Sequence, residues 1–179
     1  MRKALIILAL VTFLLFDKRS YSQIHTFDVG LRFQKTQDLY FENGITAQYQ
    51  LTKRWGLGSS YYTSRLGSAM GSNAIKQDNF IFSAAYFFRP DRILKPFIRA
   101  NTGYFTADYE SDIFEKLTHT SALVSADAGL VYHFNIPLKL NFSLGYNAIT
   151  GSGDAGAGTL YPVFYQTSIT WNMLKTRSK

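Results

Sequence analysis

From Thr26 to Met173 the chain alternates apolar and polar residues almost one for one. Successive side chains of a β-strand point to opposite faces, so a period of two predicts strands with one apolar face. Eight segments carry the pattern. In Thr26–Gln34, Phe27, Val29, Leu31 and Phe33 oppose Asp28, Gly30, Arg32 and Gln34. Gly44–Leu51 sets Ile45, Ala47, Tyr49 and Leu51 against Thr46, Gln48 and Gln50. Trp55–Ser64 sets Trp55, Leu57 and Tyr61 against Gly56, Gly58, Ser60, Tyr62 and Ser64. In Asn79–Phe88, Phe80, Phe82, Ala84, Tyr86 and Phe88 oppose Ile81, Ser83, Ala85 and Phe87. Phe97–Asp108 follows, with Ile98, Ala100, Thr102 and Tyr104 against Arg99, Asn101, Gly103 and Phe105. The last three are Ser121–Phe134, Leu138–Ala148 and Pro162–Met173, whose polar phases carry Ser125, Asp127, Lys139, Asn141, Gln166 and Ser168.

The connections differ by turn. Thr52–Arg54, Arg89–Pro96 and Asn135–Pro137 are short or proline-bearing, whereas Lys35–Asn43, Arg65–Asp78, Tyr109–Thr120 and Ile149–Tyr161 are longer and polar or glycine-rich. Eight strands with short turns at one end and long loops at the other predict an all-β fold, an eight-stranded antiparallel up-and-down barrel. The polar phase tells which face is inside. A face in water should carry Lys and Glu. Here it carries Gly, Ser, Asn, Gln and Thr, with Asp28, Arg32, Arg99, Asp127 and Lys139 as its few charges. That chemistry suits a crowded lumen in which buried charges pair. The apolar phase is aliphatic in mid-strand and aromatic at the ends. Tyr49, Trp55, Tyr86, Phe88, Tyr132, Phe134 and Trp171 lie by the short turns, and Tyr104, Tyr146 and Tyr165 lie toward the long loops. Two aromatic belts around an aliphatic waist predict a transmembrane barrel, because amphipathic rings favour the headgroup level.

Composition agrees. Of 179 residues 16% are aromatic and only 17% charged, and there is no cysteine. Cysteine-free chains have no disulfide scaffold, thiolate metal site or Cys nucleophile. The start reads as an export signal: Arg2 and Lys3, an apolar run from Ala4 to Phe16, then Ser20-Tyr21-Ser22 before Gln23. The apolar run is too short for a spanning helix. The expected division is residues 1–22 as signal peptide, 23–173 as barrel and 174–179 as a short tail. Four of the 19 Lys/Arg and one of the 12 Asp/Glu fall in the signal, so the formal charge drops from +7 to +4. A nucleic-acid reading thereby loses its main support.

Ala84–Pro90, Pro96–Phe105 and Ala126–Phe134 resemble the strand–turn–strand idiom of the small eight-stranded outer-membrane β-barrels, the OmpX, OmpW and OmpA-transmembrane type. The resemblance implies the bacterial outer membrane, outer-membrane lipid as surroundings and the barrel-assembly machinery as a partner in biogenesis. It also implies a final strand ending on an aromatic residue; this chain instead runs past Trp171 and Met173 to Lys179. His119-x-Ser121, with Glu115 nearby, is similar to the His-x-Ser pair of outer-membrane lipid A deacylases. Residues i and i+2 share a strand face, so His119 would activate Ser121. The odd phase of that strand carries Ser125 and Asp127, which places the pair on the lumen or the loop rim. His25, His119 and His133 have no metal-ligand spacing. Gly151–Gly158 lacks the helix and Lys-Ser/Thr of a phosphate cradle. No cofactor is expected. The expected function is a structural, envelope or surface-contact role through the long loops. The alternatives are a narrow conduit for small or apolar solutes and a lipid A hydrolase.

Overall fold

The computed structural model describes residues 26–36, 41–67, 73–109, 119–149 and 163–174. The segment expected to be a signal peptide and most of the expected tail lie outside these residues. Eight strands run in chain order: β1 Thr26–Thr36, β2 Phe41–Gln50, β3 Trp55–Gly67, β4 Asn73–Phe87, β5 Leu94–Tyr109, β6 Thr120–His133, β7 Leu138–Ile149 and β8 Val163–Asn172. Each pairs antiparallel with the next, and β8 returns to β1 to close the barrel. At that seam Asp28 stands opposite Asn172 and Leu31 opposite Ile169. Closure removes every free ladder edge, which a bilayer requires of a spanning sheet. Ten to sixteen residues per strand suffice to cross it at a tilt.

The faces sort as the alternation predicts. Leu31, Ile45, Phe82, Phe142 and Leu144 point outward and are about half exposed. Asp28, Arg32, Thr46, Ser60, Asn101, Ser125, Asn141 and Ser168 are buried in the lumen. This inverts a soluble protein, where an exposed apolar band of this extent would drive association.

Strand limits differ from the expected ones mainly at the long-loop end. β2 starts at Phe41, three residues early; β3 runs on to Gly67; β4 starts at Asn73 rather than Asn79. In these extensions the phase that is apolar in mid-strand carries Asn43, Arg65, Lys76 and Asp78, so the period of two is broken while the ladder continues. At the other end β5 starts at Leu94, ahead of Pro96. Proline cannot donate to a ladder and signals a turn. Pro96 nonetheless accepts there: its carbonyl takes the Phe88 N–H at 3.0 Å. Leu51, Phe88, Phe134 and Met173, read as strand ends, fall just beyond their strands.

The short turns are closed locally. In Leu51–Arg54, the Trp55 carbonyl accepts the N–H groups of Leu51 and Thr52, and the Thr52 hydroxyl accepts those of Arg54 and Trp55. The strands coil tightly enough that some lumen positions exclude a side chain. A Cβ on Gly103 would fall 2.0 Å from the Phe80 carbonyl oxygen, and one on Gly30 1.9 Å from that of Ile169. Glycine permits this close backbone approach.

Candidate functional site in the barrel lumen

Eight strands enclose a space just wide enough for side chains to fill. Three polar clusters occupy it. Arg99 and Asp127 are direct cross-strand partners on β5 and β6. Their bond is bidentate: Nε to Oδ2 at 2.9 Å and Nη2 to Oδ1 at 2.8 Å. Arg99 Nη2 also reaches Gln166 Oε1 on β8 at 2.8 Å and Ser143 Oγ on β7 at 3.3 Å. Asn101 adds a donor to Asp127 at 2.9 Å. A guanidinium fork matches a carboxylate in this way better than an ammonium could.

The second cluster is built on Arg32. It donates to Gln34 at 2.8 Å and to Ser60 at 3.3 Å, and its guanidinium lies 4.5 Å from the centre of the Tyr62 ring. Gln34 passes the chain on to Glu42 at 2.5 Å, and Glu42 also accepts from Asn79 at 2.9 Å. The third cluster lies toward the short turns. Lys139 bonds Asp28 at 2.5 Å, and Asn172 donates to the same carboxylate at 3.0 Å. Among these groups Arg32, Arg99 and Lys139 are balanced by Asp28, Glu42 and Asp127. Paired and hydrogen-bonded charges tolerate burial that isolated ones do not.

The five charged lumen residues of the polar phase are thus all placed inside. Glu42 was missed. It sits in a stretch read as loop, although Phe41, Asn43 and Ile45 already alternate with it. Tyr62, Ile81 and Leu123 form an apolar cluster within the lumen, and Phe105 and Phe164 are also buried. An inward Leu or Phe in a polar phase carries no sequence signal that separates it from noise.

Of the interface aromatics, Trp55, Phe88, Tyr132, Phe134 and Trp171 are exposed toward the short turns, and Tyr104, Tyr146 and Tyr165 toward the long loops. Tyr49 and Tyr86 are half-buried on the same outer face. Neighbouring rings pack edge-on: Trp55 with Tyr86 at 5.1 Å, Tyr132 with Phe134 at 4.8 Å. The Tyr86 hydroxyl accepts from Arg54 at 3.2 Å, so its polar tip points to the turn.

His119 and Ser121 meet different carbonyls. His119 Nδ1 lies 3.2 Å from the Ala107 oxygen, and the Ser121 hydroxyl donates to Ala122 at 3.1 Å. Neither is the hydroxyl-to-imidazole bond of an activated nucleophile. Glu115 and the glycine-rich Gly151–Gly158 lie outside the described residues. Among the described residues no three His, Asp or Glu side chains gather as a metal site.

No protein-family model matches the chain, and no curated protein matches it in sequence. Solved structures do match it in shape. The N-terminal β-barrel domain of OprF from Pseudomonas aeruginosa superposes with a TM-score of 0.63 at 17% identity, covering 83% of this chain and 97% of that one. Outer membrane protein H (OprH) of P. aeruginosa gives 0.58 at 15% identity, covering 82% and 99%. A de novo designed transmembrane β-barrel gives 0.55 at 14%, covering 85% and 98%. A designed barrel matching nearly as well shows that the likeness follows architecture. The chain therefore has the fold of the small eight-stranded outer-membrane β-barrels.

Proposed function

We propose that this chain is an integral outer-membrane protein without catalytic activity, whose filled barrel is a scaffold and whose connections opposite the short turns, above all 110–119 and 150–162, serve envelope structure or surface contact. In this reading a cleaved signal exports the chain, the barrel-assembly machinery inserts it, and both termini and the short turns face the periplasm. The observation that carries it is the lumen. Hydrogen bonds run from Arg99 to partners on β6, β7 and β8 and from Arg32 to partners on β1 and β3, and past the short-turn mouth a gap of about 20 Å³ lies beside Arg99. A barrel filled this way leaves its loops as the surface that can vary. The same filling speaks against a conduit. The Ser121 hydroxyl donates to the Ala122 carbonyl, which speaks against its activation for hydrolysis.

The test uses the connection 150–162. An epitope placed within Gly151–Gly158 should be labelled on intact cells while the protein fractionates with the outer membrane. Labelling only after permeabilisation would overturn the orientation. An unchanged lipid A mass spectrum on overexpression is expected; a shift abolished by Ser121→Ala would establish the hydrolase instead.

A further inference from the structure

The short-turn end of the lumen opens into a cavity of about 310 Å³. Its wall includes Thr26, Lys95, His133 and Lys139, and toward the interior it ends at Val131 and Asn141. The charges at this mouth do not cancel as those deeper in the lumen do. Lys53 pairs with Asp91 at 3.6 Å and Lys139 with Asp28. Lys95 is half-buried; Asp91 and Asp28 attract it, but it makes no ion pair or hydrogen bond with either among the described residues. A second wall group is also unmatched: the Thr26 hydroxyl is buried and has no hydrogen-bond partner among the described residues. Buried polar groups normally have partners, and a desolvated ammonium is costly without a counter-charge. Outside the cavity, the flanking turns present Arg54, Arg89 and Arg92 to solvent, which concentrates anions at the entrance.

We propose that this mouth binds a small phosphate-bearing anion, held by Lys95 and Lys139 with the Thr26 hydroxyl and the His133 ring as further hydrogen-bond donors. An ammonium serves phosphate as a point charge, and a hydroxyl adds a directed bond. The volume admits a phosphate monoester with room for its organic part. The phosphate has two possible sources, a soluble ester or a lipid headgroup entering from the adjacent leaflet. The site depends on the mouth alone and would exist in a barrel of any function.

The test is calorimetric titration of the full folded chain in maltoside micelles, free of phosphate, with glycerol 3-phosphate as probe. Saturable binding is expected. Lys95→Ala should weaken it about tenfold or more, the loss of a charged hydrogen bond. Arg92→Ala, on the exposed turn, should change it less than about twofold, as expected of a screened surface charge. Heat-dependent gel migration verifies that each variant is folded. Undiminished binding when phosphatidylglycerol is added assigns a soluble ligand, and displacement of the probe by that lipid assigns the headgroup. No saturable binding with or without lipid, or equal binding by Lys95→Ala, overturns the proposal.

Discussion

Arg99 and Asp127 show what one buried pair does in a small barrel. Their charges are almost wholly removed from solvent, and each has partners beyond the other. Removing one partner leaves an uncompensated charge, which costs about 3–5 kcal/mol. Asp127→Ala should therefore lower the urea midpoint in micelles sharply, read by Trp55 and Trp171 fluorescence. Replacing both by apolar residues of similar volume should cost much less than the two single changes together. Equal losses in the single and double variants would remove the pair from the stability argument. Gly103 makes a second residue-scale case. Gly103→Val would drive a branched side chain into the Phe80 carbonyl and the Ile81 side chain. Overpacking of this kind costs about 1–3 kcal/mol. The same measurement checks it.

At the scale of elements, the closing seam and the turns decide whether eight hairpin-linked strands make one barrel. Leu31 and Ile169 are opposite each other across the seam and both face outward. The chain has no native cysteine, so Leu31→Cys with Ile169→Cys gives a clean reporter. A short thiol cross-linker should join them in the folded protein. A slip of one residue would send the two thiols to opposite faces, and absence of the cross-link in folded protein would reject the register. The β2–β3 turn depends on Thr52, whose hydroxyl accepts two backbone N–H groups. Thr52→Ala should cost about 0.5–1.5 kcal/mol without altering the barrel's migration. Here the sequence was informative about existence and less so about limits. The short turns carry Thr or Pro and were legible as turns, although Pro96 itself belongs to β5. The long-loop ends of β2, β3 and β4 were not, because Asn43, Arg65, Lys76 and Asp78 interrupt the apolar phase there and the alternation breaks before the ladder does.

For the whole molecule, the outward apolar band and the filled lumen act together. A closed ladder resists detergent until heated, so unboiled protein should migrate on a gel differently from boiled protein. One heat-insensitive, soluble species would reject the barrel as a membrane protein. In planar bilayers the wild-type protein should show no steady conductance steps. Steady conductance in the wild type, unchanged on neutralising Arg99 and Asp127, would show that these residues do not block the lumen.

The sequence by itself determined the eight strands, their two faces and, Glu42 excepted, the charged residues of the lumen clusters, because inside–outside alternation is a local property of an extended backbone. Only the tertiary structure decided who meets whom. Arg99 finds Asp127 from the neighbouring strand but Gln166 from across the barrel, and Arg32 reaches Glu42 only through Gln34. The unmatched Lys95 at the short-turn mouth, in a segment that Pro96 disguised as a turn, is visible only once the barrel closes. Such juxtapositions depend on the tilt and stagger with which eight strands close on themselves, and stagger is a property of the whole ring that no single segment encodes.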